Sequence, residues 1–285
     1  MHLTDAEFSL ISEMVFELSG VVLDKSKSYL IEGRLAPVAK EAGCENFNEL
    51  YFKVRHQGDR ALKEKVVDAI TTHETLFFRD TSPFEALEHK VIPELLDKKS
   101  AKNDRRLRIW SAACSTGQEP YSVAMILDRL IGNSRDWNVS ILGSDISSMA
   151  ITRASLGIYS DHEMERGMKP EMRRAYFERV KEGWRVKDHI RAMVSFRKLN
   201  LLEPFKSLGT FDIVLCRNVA IYFNKEDRRD LFFRIKEVLT QDGYLFAGSS
   251  EMLTDLGPEF RPQYHCRTMV YQPNLPVDTL RHSHK

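Results

Sequence analysis

The sequence predicts an α/β protein: a mostly parallel sheet covered by helices on both faces, closed by an antiparallel edge hairpin and preceded by a small all-helical N-terminal domain. Three observations carry this. Over residues 1–70 apolar side chains recur at helical spacing. From RLRIWSAAC onward, strand-length apolar runs alternate with helical ones, the order that builds a parallel sheet. At 285 residues the chain is also long enough for two compact domains, or one large one, with a sizeable buried core.

Taken in order, Thr4 and Glu7 make a capping box, Phe8, Ile11, Val15 and Leu18 keep helical spacing, and Gly20 supplies a stop. The segment around KSYLIEGRLA is expected to end or kink at Pro37. Phe47, Leu50, Tyr51 and Val54 form a third stripe, and Leu62, Val66, Ala69 and Ile70 a fourth after Asp59. Residues 71–80, TTHETLFFRD, follow as a linker reaching to 81. Thr71 and Glu74 fit a capping box that would open a helical turn, bury Phe77 and Phe78, and set Thr75 and Arg79 on one face. His73-Glu74 is no zinc motif, because Phe77 stands where the second histidine is required.

Ser82-Pro83 with Glu85 begins the second domain, 82–274, and KKSAKNDRR is a charged connector to its first strand. Helix CSTGQEPYSVAMILDRL, strand WNVSILGSD, helix SSMAITRASL, strands AMVSFRKLN and FDIVLCRN, helix KEDRRDLFFRIKEVL and strand DGYLFAGSS follow. RPQYHC and RTMVYQP read as the edge hairpin, and the tail 275–285 as disordered.

Charge is nearly balanced at +1, giving no sign of a nucleic-acid or anionic-membrane protein. No apolar run reaches membrane-span length and MHLTDAEFSL lacks a signal-peptide pattern, so a cytoplasmic protein without membrane insertion is expected. Cys44, Cys114, Cys216 and Cys266 are far apart without C-x-x-C and read as free thiols, mostly buried, with no metal cluster.

In open α/β sheets ligands sit outside the carboxyl ends of the strands. The first strand ends in SAACSTGQEP, a small-residue loop running into a helix N-terminus, and the second ends in GSD, whose acid suits a ribose diol. Alone, the loop is equally a tight turn and Asp145 a helix cap; together they point to a nucleoside-containing cofactor. The glycine fingerprint for a pyrophosphate is missing, so S-adenosylmethionine fits better than a dinucleotide. LCRNVAIYF places no histidine at its strand end as a general base, and an acceptor that is already anionic, such as a carboxylate, needs none.

TTHETLFFRD, IWSAACSTGQEPYS, SDIS followed by LGIY, FRKLNLL, FDIVLCRNVAIYF and GYLFAGSSE, in that order, resemble the CheR-type chemotaxis protein-glutamate O-methyltransferases up to about residue 272. The resemblance implies methyl transfer from S-adenosylmethionine to glutamates of methyl-accepting chemotaxis receptors, with S-adenosylhomocysteine as product and no metal. It also implies a small β-subdomain inserted at about 176–198. It carries Thr75 and Arg79 over as cofactor contacts, with His73 where asparagine is usual. Glu119, Asp145, Asn200, Leu201, Arg217 and Asn218 are placed around the cofactor, and Arg79 and Tyr222 at the acceptor. Gln118 replaces a frequent acid beside Glu119.

Read without the resemblance, Arg217-Asn218 caps a strand and Tyr222 is a packed aromatic with a satisfied hydroxyl. The short run KEGWRVKDHIRAMVSF, with one glycine, leads us to expect no tether for a receptor's C-terminal pentapeptide, and the protein is expected to be monomeric. Pro37 leaves Lys27, Arg34 and Lys40 as a reduced basic face for receptor docking. A methyltransferase for another carboxylate or a small molecule, and a non-catalytic adaptor that binds the nucleoside, are the alternatives.

Overall fold

Thr4 accepts the Glu7 N–H while the Glu7 carboxylate accepts the Thr4 N–H, and this reciprocal cap starts α1 (Asp5–Ser19), which Gly20 ends in left-handed backbone. The computed structural model describes residues 1–132 and 136–274; the tail 275–285, expected to be disordered, lies outside the described residues. Helix α2 (Ser28–Glu41) does not stop at Pro37. The proline leaves the Gly33 carbonyl without its helical partner, but Gly33 is exposed with open space around it, so that oxygen can turn to water. Asn46 and Asp59 cap α3 (Phe47–His56) and α4 (Arg60–Ile70). The four helices bury Phe8, Ile11, Val15, Leu35, Leu50 and Val66 in one core.

The linker is not helical, contrary to the capping-box expectation. The Thr71 hydroxyl donates back to the Val67 carbonyl at 2.8 Å and so finishes α4 instead of opening a new turn. Residues 72–76 then run without regular structure into a turn at 77–80, where Phe78, Asp80 and Thr81 have φ of 52°, 67° and 42°. Phe77 is fully buried against Tyr159 and Phe177, and Phe78 packs at the margin of the same core.

From Ser82 the chain is helical through α5 (Ser82–Ala86), a π-helical turn (Leu87–Val91) and α6 (Ile92–Ala101), so KKSA belongs to a helix and the charged connector is shorter than expected. Next come β1 (Arg106–Ala112), α7 (Gln118–Ile131), β2 (Asn138–Asp145) and α8 (Ser148–Leu156). A small antiparallel sheet is then built from β3 (Ile158–Tyr159), β4 (Phe177–Val180) and β5 (Gly183–Val186), interleaved with α9 (Asp161–Glu165), α10 (Pro170–Tyr176) and, after β5, α11 (Asp188–Arg191). The chain returns to the main sheet with β6 (Val194–Lys198), β7 (Phe211–Cys216), α12 (Lys225–Val238), β8 (Leu239–Ala247), β9 (Phe260–His265) and β10 (Thr268–Pro273).

The inserted sheet therefore starts at Ile158, earlier than 176, and ends before 194. Val194–Lys198 pairs in parallel with β2 as the outer strand of the main sheet. A two-residue strand such as β3 has no periodicity to read, which is why that boundary was misplaced.

The main sheet has the order β6-β2-β1-β7-β8-β10-β9; the first five strands are parallel, and β10 and β9 form the antiparallel edge. Alternate residues serve opposite faces. Leu107, Ile109, Ile213 and Phe246 pack with α7, whereas Trp110, Val214 and Leu245 pack with α12. Chain order reverses at β1, which has β2 on one side and β7 on the other, and Ala112 lies level with both Ser144 and Cys216. The crevice above those level ends is where an open α/β sheet takes its ligand.

Candidate active site

The crevice is roofed by the bundle. Val21, Val22 and Leu23, from the loop between α1 and α2, line it opposite the strand ends, and the Val22 N–H donates to the Tyr222 carbonyl at 2.9 Å. Gly20 makes the close approach possible: a Cβ there would stand 2.9 Å from a Leu202 methyl and 3.1 Å from the Phe223 ring. From the other side, Asp68 of α4 accepts the Ser147 hydroxyl at 2.6 Å and Glu64 meets Lys198 at 2.9 Å.

The residues that the sequence assigned to the cofactor and the acceptor all border this one cleft. After β1 the backbone takes left-handed values at Ala113, Ser115 and Gly117, which folds the loop tightly enough for the Ser115 N–H to reach Asp145 Oδ2 at 2.8 Å. The other carboxylate oxygen of Asp145 accepts the Ser147 N–H at 2.9 Å. Burial pushes the Asp145 carboxyl upward, and the two N–H groups oppose that rise only in part. Each oxygen keeps lone-pair capacity for a further donor.

Glu119, in the first turn of α7, accepts the Ser111 hydroxyl at 2.7 Å on one oxygen and Arg217 at 2.8 Å on the other. Arg217 is almost wholly buried and also donates to Asp80 Oδ2 at 2.8 Å and the Arg79 carbonyl at 3.0 Å. This ties the end of β7 to the linker. Among the described residues the buried Arg217 Nε has no hydrogen-bond partner, so it can donate to a ligand acceptor.

Arg79 donates to the Glu74 carbonyl at 2.9 Å, and its guanidinium has no carboxylate partner among the described residues. Thr75 borders the cleft from the extended linker rather than from a helical face. His73 Nε2 lies 3.1 Å from the Asp68 carbonyl and 3.2 Å from the Thr71 hydroxyl, contacts that tie the ring to the end of α4. Asn200 donates to the Leu18 carbonyl at 3.3 Å and accepts the Leu202 N–H at 3.0 Å, while Leu201 is buried beside it. Asn218 holds a left-handed φ of 59°. Tyr222 is half-buried, and its hydroxyl has no hydrogen-bond partner among the described residues, unlike a packed aromatic with its hydroxyl satisfied. Gln118 does not border the cleft; it accepts from Thr116 and reaches Glu163 on α9.

Ser115 and the Val21–Leu23 loop were not anticipated, since a backbone donor and an apolar roof leave no signature in a single sequence. Arg34 was read as part of a docking face. It turns inward, donating to the Ile70 carbonyl at 2.8 Å and to Thr72, which holds the linker against α2. Among the described residues no group of His, Cys, Asp or Glu side chains is arranged to hold a metal ion, and no helix is long and apolar enough to cross a membrane.

A family model for the S-adenosylmethionine-binding domain of CheR methyltransferases matches residues 73–267, and one for the all-alpha domain of CheR methyltransferases matches residues 6–71. Similar relatives include the chemotaxis protein methyltransferase 1 of Pseudomonas aeruginosa, 43% identical over 92% of this chain and 95% of that one. The chemotaxis protein methyltransferase Cher2 of Pseudomonas putida is 39% identical over 95% of this chain and 99% of its own. That of Salmonella typhimurium is 33% identical over 91% and 88%. Bundle, linker and sheet are thus matched in their full order, and the chain belongs to the CheR methyltransferase family, with S-adenosylmethionine as its cofactor.

Proposed function

We propose that the protein methylates glutamate side chains of chemotaxis receptors in the cytoplasm, giving glutamate methyl esters and S-adenosylhomocysteine. One observation favours a carboxylate acceptor above others. The cleft offers an arginine, Arg79, that has no carboxylate partner among the described residues, so an anion is welcomed, and a carboxylate acceptor is already charged and needs no general base.

The residues present fit the cofactor. Asp145 takes the ribose hydroxyls on the lone pairs left by its two backbone donors, Glu119 faces the cofactor's positive charge, and Arg217 Nε, Asn200, Leu201 and Asn218 complete the wall. The bound cofactor supplies an electrophilic methyl group on a sulfonium. Thr75 and His73 close the linker side. Arg79 orients the acceptor carboxylate through charge-assisted hydrogen bonds, and the Tyr222 hydroxyl holds it in line. The Val21–Leu23 loop limits water, which otherwise solvates the two opposite charges that the reaction neutralises.

The β4–β5 connection supports a protein without a pentapeptide tether. It is a two-residue turn, and Gly183 is committed to close packing, since a Cβ there would meet the Tyr159 carbonyl at 2.3 Å. Substrate is then met by the monomer at the mouth of the cleft. The test is to incubate the protein with methyl-labelled cofactor and a receptor's cytoplasmic fragment, then treat the product with alkali. Volatile labelled methanol is expected; label that survives alkali, or none transferred, would refute ester formation.

A further inference from the structure

GYLFAGSSE is the one stretch of the resemblance to which no role has been attached. Its glutamate, Glu251, is 2% exposed and lies beneath the loop that joins β7 to α12. Four backbone N–H groups converge on it. Oε2 accepts from Asn218 at 2.6 Å and Gly248 at 2.8 Å; Oε1 accepts from Val219 at 3.0 Å and Ile221 at 3.2 Å. A carboxylate has about four acceptor positions, and here each is met by a main-chain donor. Among the described residues Glu251 has no lysine, arginine or histidine in salt-bridge range, so the ordered N–H dipoles alone offset its charge.

The loop held in this way carries Arg217, Asn218 and Tyr222. Asn218 is in left-handed backbone, which costs a non-glycine residue energy unless its surroundings enforce it. Two of the donors, Asn218 and Val219, directly follow Arg217, and a third, Ile221, directly precedes Tyr222. Gly248 is required on the far side, because a Cβ there would stand 2.3 Å from Glu251 Oε2 and 3.0 Å from the Asn218 nitrogen. The sequence supplies one carboxylate and one glycine, three residues apart, to shape a loop more than 25 residues earlier.

We propose that Glu251 is a positioning residue for methyl transfer: its buried carboxylate is the template on which the Arg217–Tyr222 loop is set, placing Asn218 against the cofactor and Tyr222 against the acceptor. The inference rests on the reading of the site given above. An amide cannot replace the carboxylate, since its NH2 end faces two N–H donors with a donor of its own. Glu251→Gln therefore releases the loop at Asn218 and Gly248, or at Val219 and Ile221. Gly248→Ala displaces the carboxylate without neutralising it and reaches the same result by another route.

Three quantities are measured for wild type, Glu251→Gln, Gly248→Ala and a core control, Ile235→Val in α12: the S-adenosylhomocysteine Kd, the melting temperature, and kcat with the KM for each substrate, all well below melting. Misplacing reacting groups by about 1 Å costs on the order of 100-fold in rate. Both loop variants are expected to lose about that factor in kcat, with Kd weakened about tenfold, while the core control loses melting temperature only. If the loop variants melt earlier but keep wild-type Kd, KM and kcat in the folded fraction, Glu251 is a stability residue and the proposal falls. If neither variant folds, a loop that merely needs Glu251 to exist is shown, and the positioning role is likewise rejected. Binding and turnover separate the two claims: should wild type bind the cofactor yet methylate no receptor carboxylate, the acceptor reading fails while the Kd values still decide the template.

Discussion

Asp145 stands at the end of β2 with one backbone donor on each oxygen, so it shapes the Ser115 loop as well as facing the cleft. Removing it with Asp145→Ala should weaken S-adenosylhomocysteine binding by about 1 to 3 kcal/mol, the range for hydrogen bonds to a charged group. Calorimetric titration measures this, and unchanged affinity would take Asp145 out of the ribose site. Arg79→Ala differs in kind. Among the described residues its side chain makes one hydrogen bond, to the Glu74 carbonyl, so the fold should persist with an unchanged melting curve while methyl transfer drops by about 100-fold, as expected for loss of an orienting group. At this scale much was legible: an acid after a β-strand and a small-residue loop before a helix are local signals. What escaped was tertiary. The Arg217 bridge to Glu119 and Asp80 joins residues 98 and 137 apart in sequence, and the Glu251 template depends on a loop whose backbone, not its side chains, is bound.

Among the elements, α6 is fastened to β8 through Glu94, which accepts from Tyr244 at 2.9 Å and pairs with Lys90 at 2.9 Å and Lys98 at 2.7 Å. Burial would raise this carboxyl, but the three donors outweigh it and hold the group at about 2, below its ordinary 4.5. A depressed carboxyl stabilises the fold fully above its unfolded pKa, and that stability is lost as pH falls from about 4.5 toward 2. Urea midpoints measured across that window should fall more steeply for wild type than for Glu94→Gln, by about 1 to 2 kcal/mol in total once screening of the two lysines is allowed for; parallel curves would contradict the assignment. Element boundaries were read well where a cap is local, as at Thr4, Asn46 and Asp59. They were read badly where a distant partner decides. Thr71 looks like an N-cap in sequence, yet the Val67 carbonyl at the end of α4 takes its hydroxyl, and Arg34 fixes the following residues in extended form. Pro37 was expected to end or kink its helix; α2 continues through it, with the exposed Gly33 able to turn its carbonyl to water.

For the molecule as a whole, the bundle is part of the site rather than an appendage, and Gly20 is one place where the two units approach closely. A Gly20→Ala side chain would combine a φ of 74° with contacts of 2.9 Å and 3.1 Å on Leu202 and Phe223. It should cost about 1 kcal/mol in backbone strain and loosen cofactor binding by roughly fivefold, read by calorimetry on the full chain. The alternation of helix and strand made the architecture legible; the clasp between units was not, because nothing marks a helix-ending glycine as one that also faces another domain. The central claim is that this closed cleft transfers methyl by alignment to an acceptor already charged. A carboxylate acceptor is already ionised near neutrality, so its attack on the methyl group waits on no proton transfer to a base. The most direct measurement is the pH dependence of kcat with saturating cofactor and receptor fragment between about pH 6 and 8.5, far above the glutamate reference of about 4.3. A profile without a rise attributable to a titrating base is predicted; a steep rise with its midpoint near 7 would contradict it, by showing that a base must be deprotonated before the acceptor can attack.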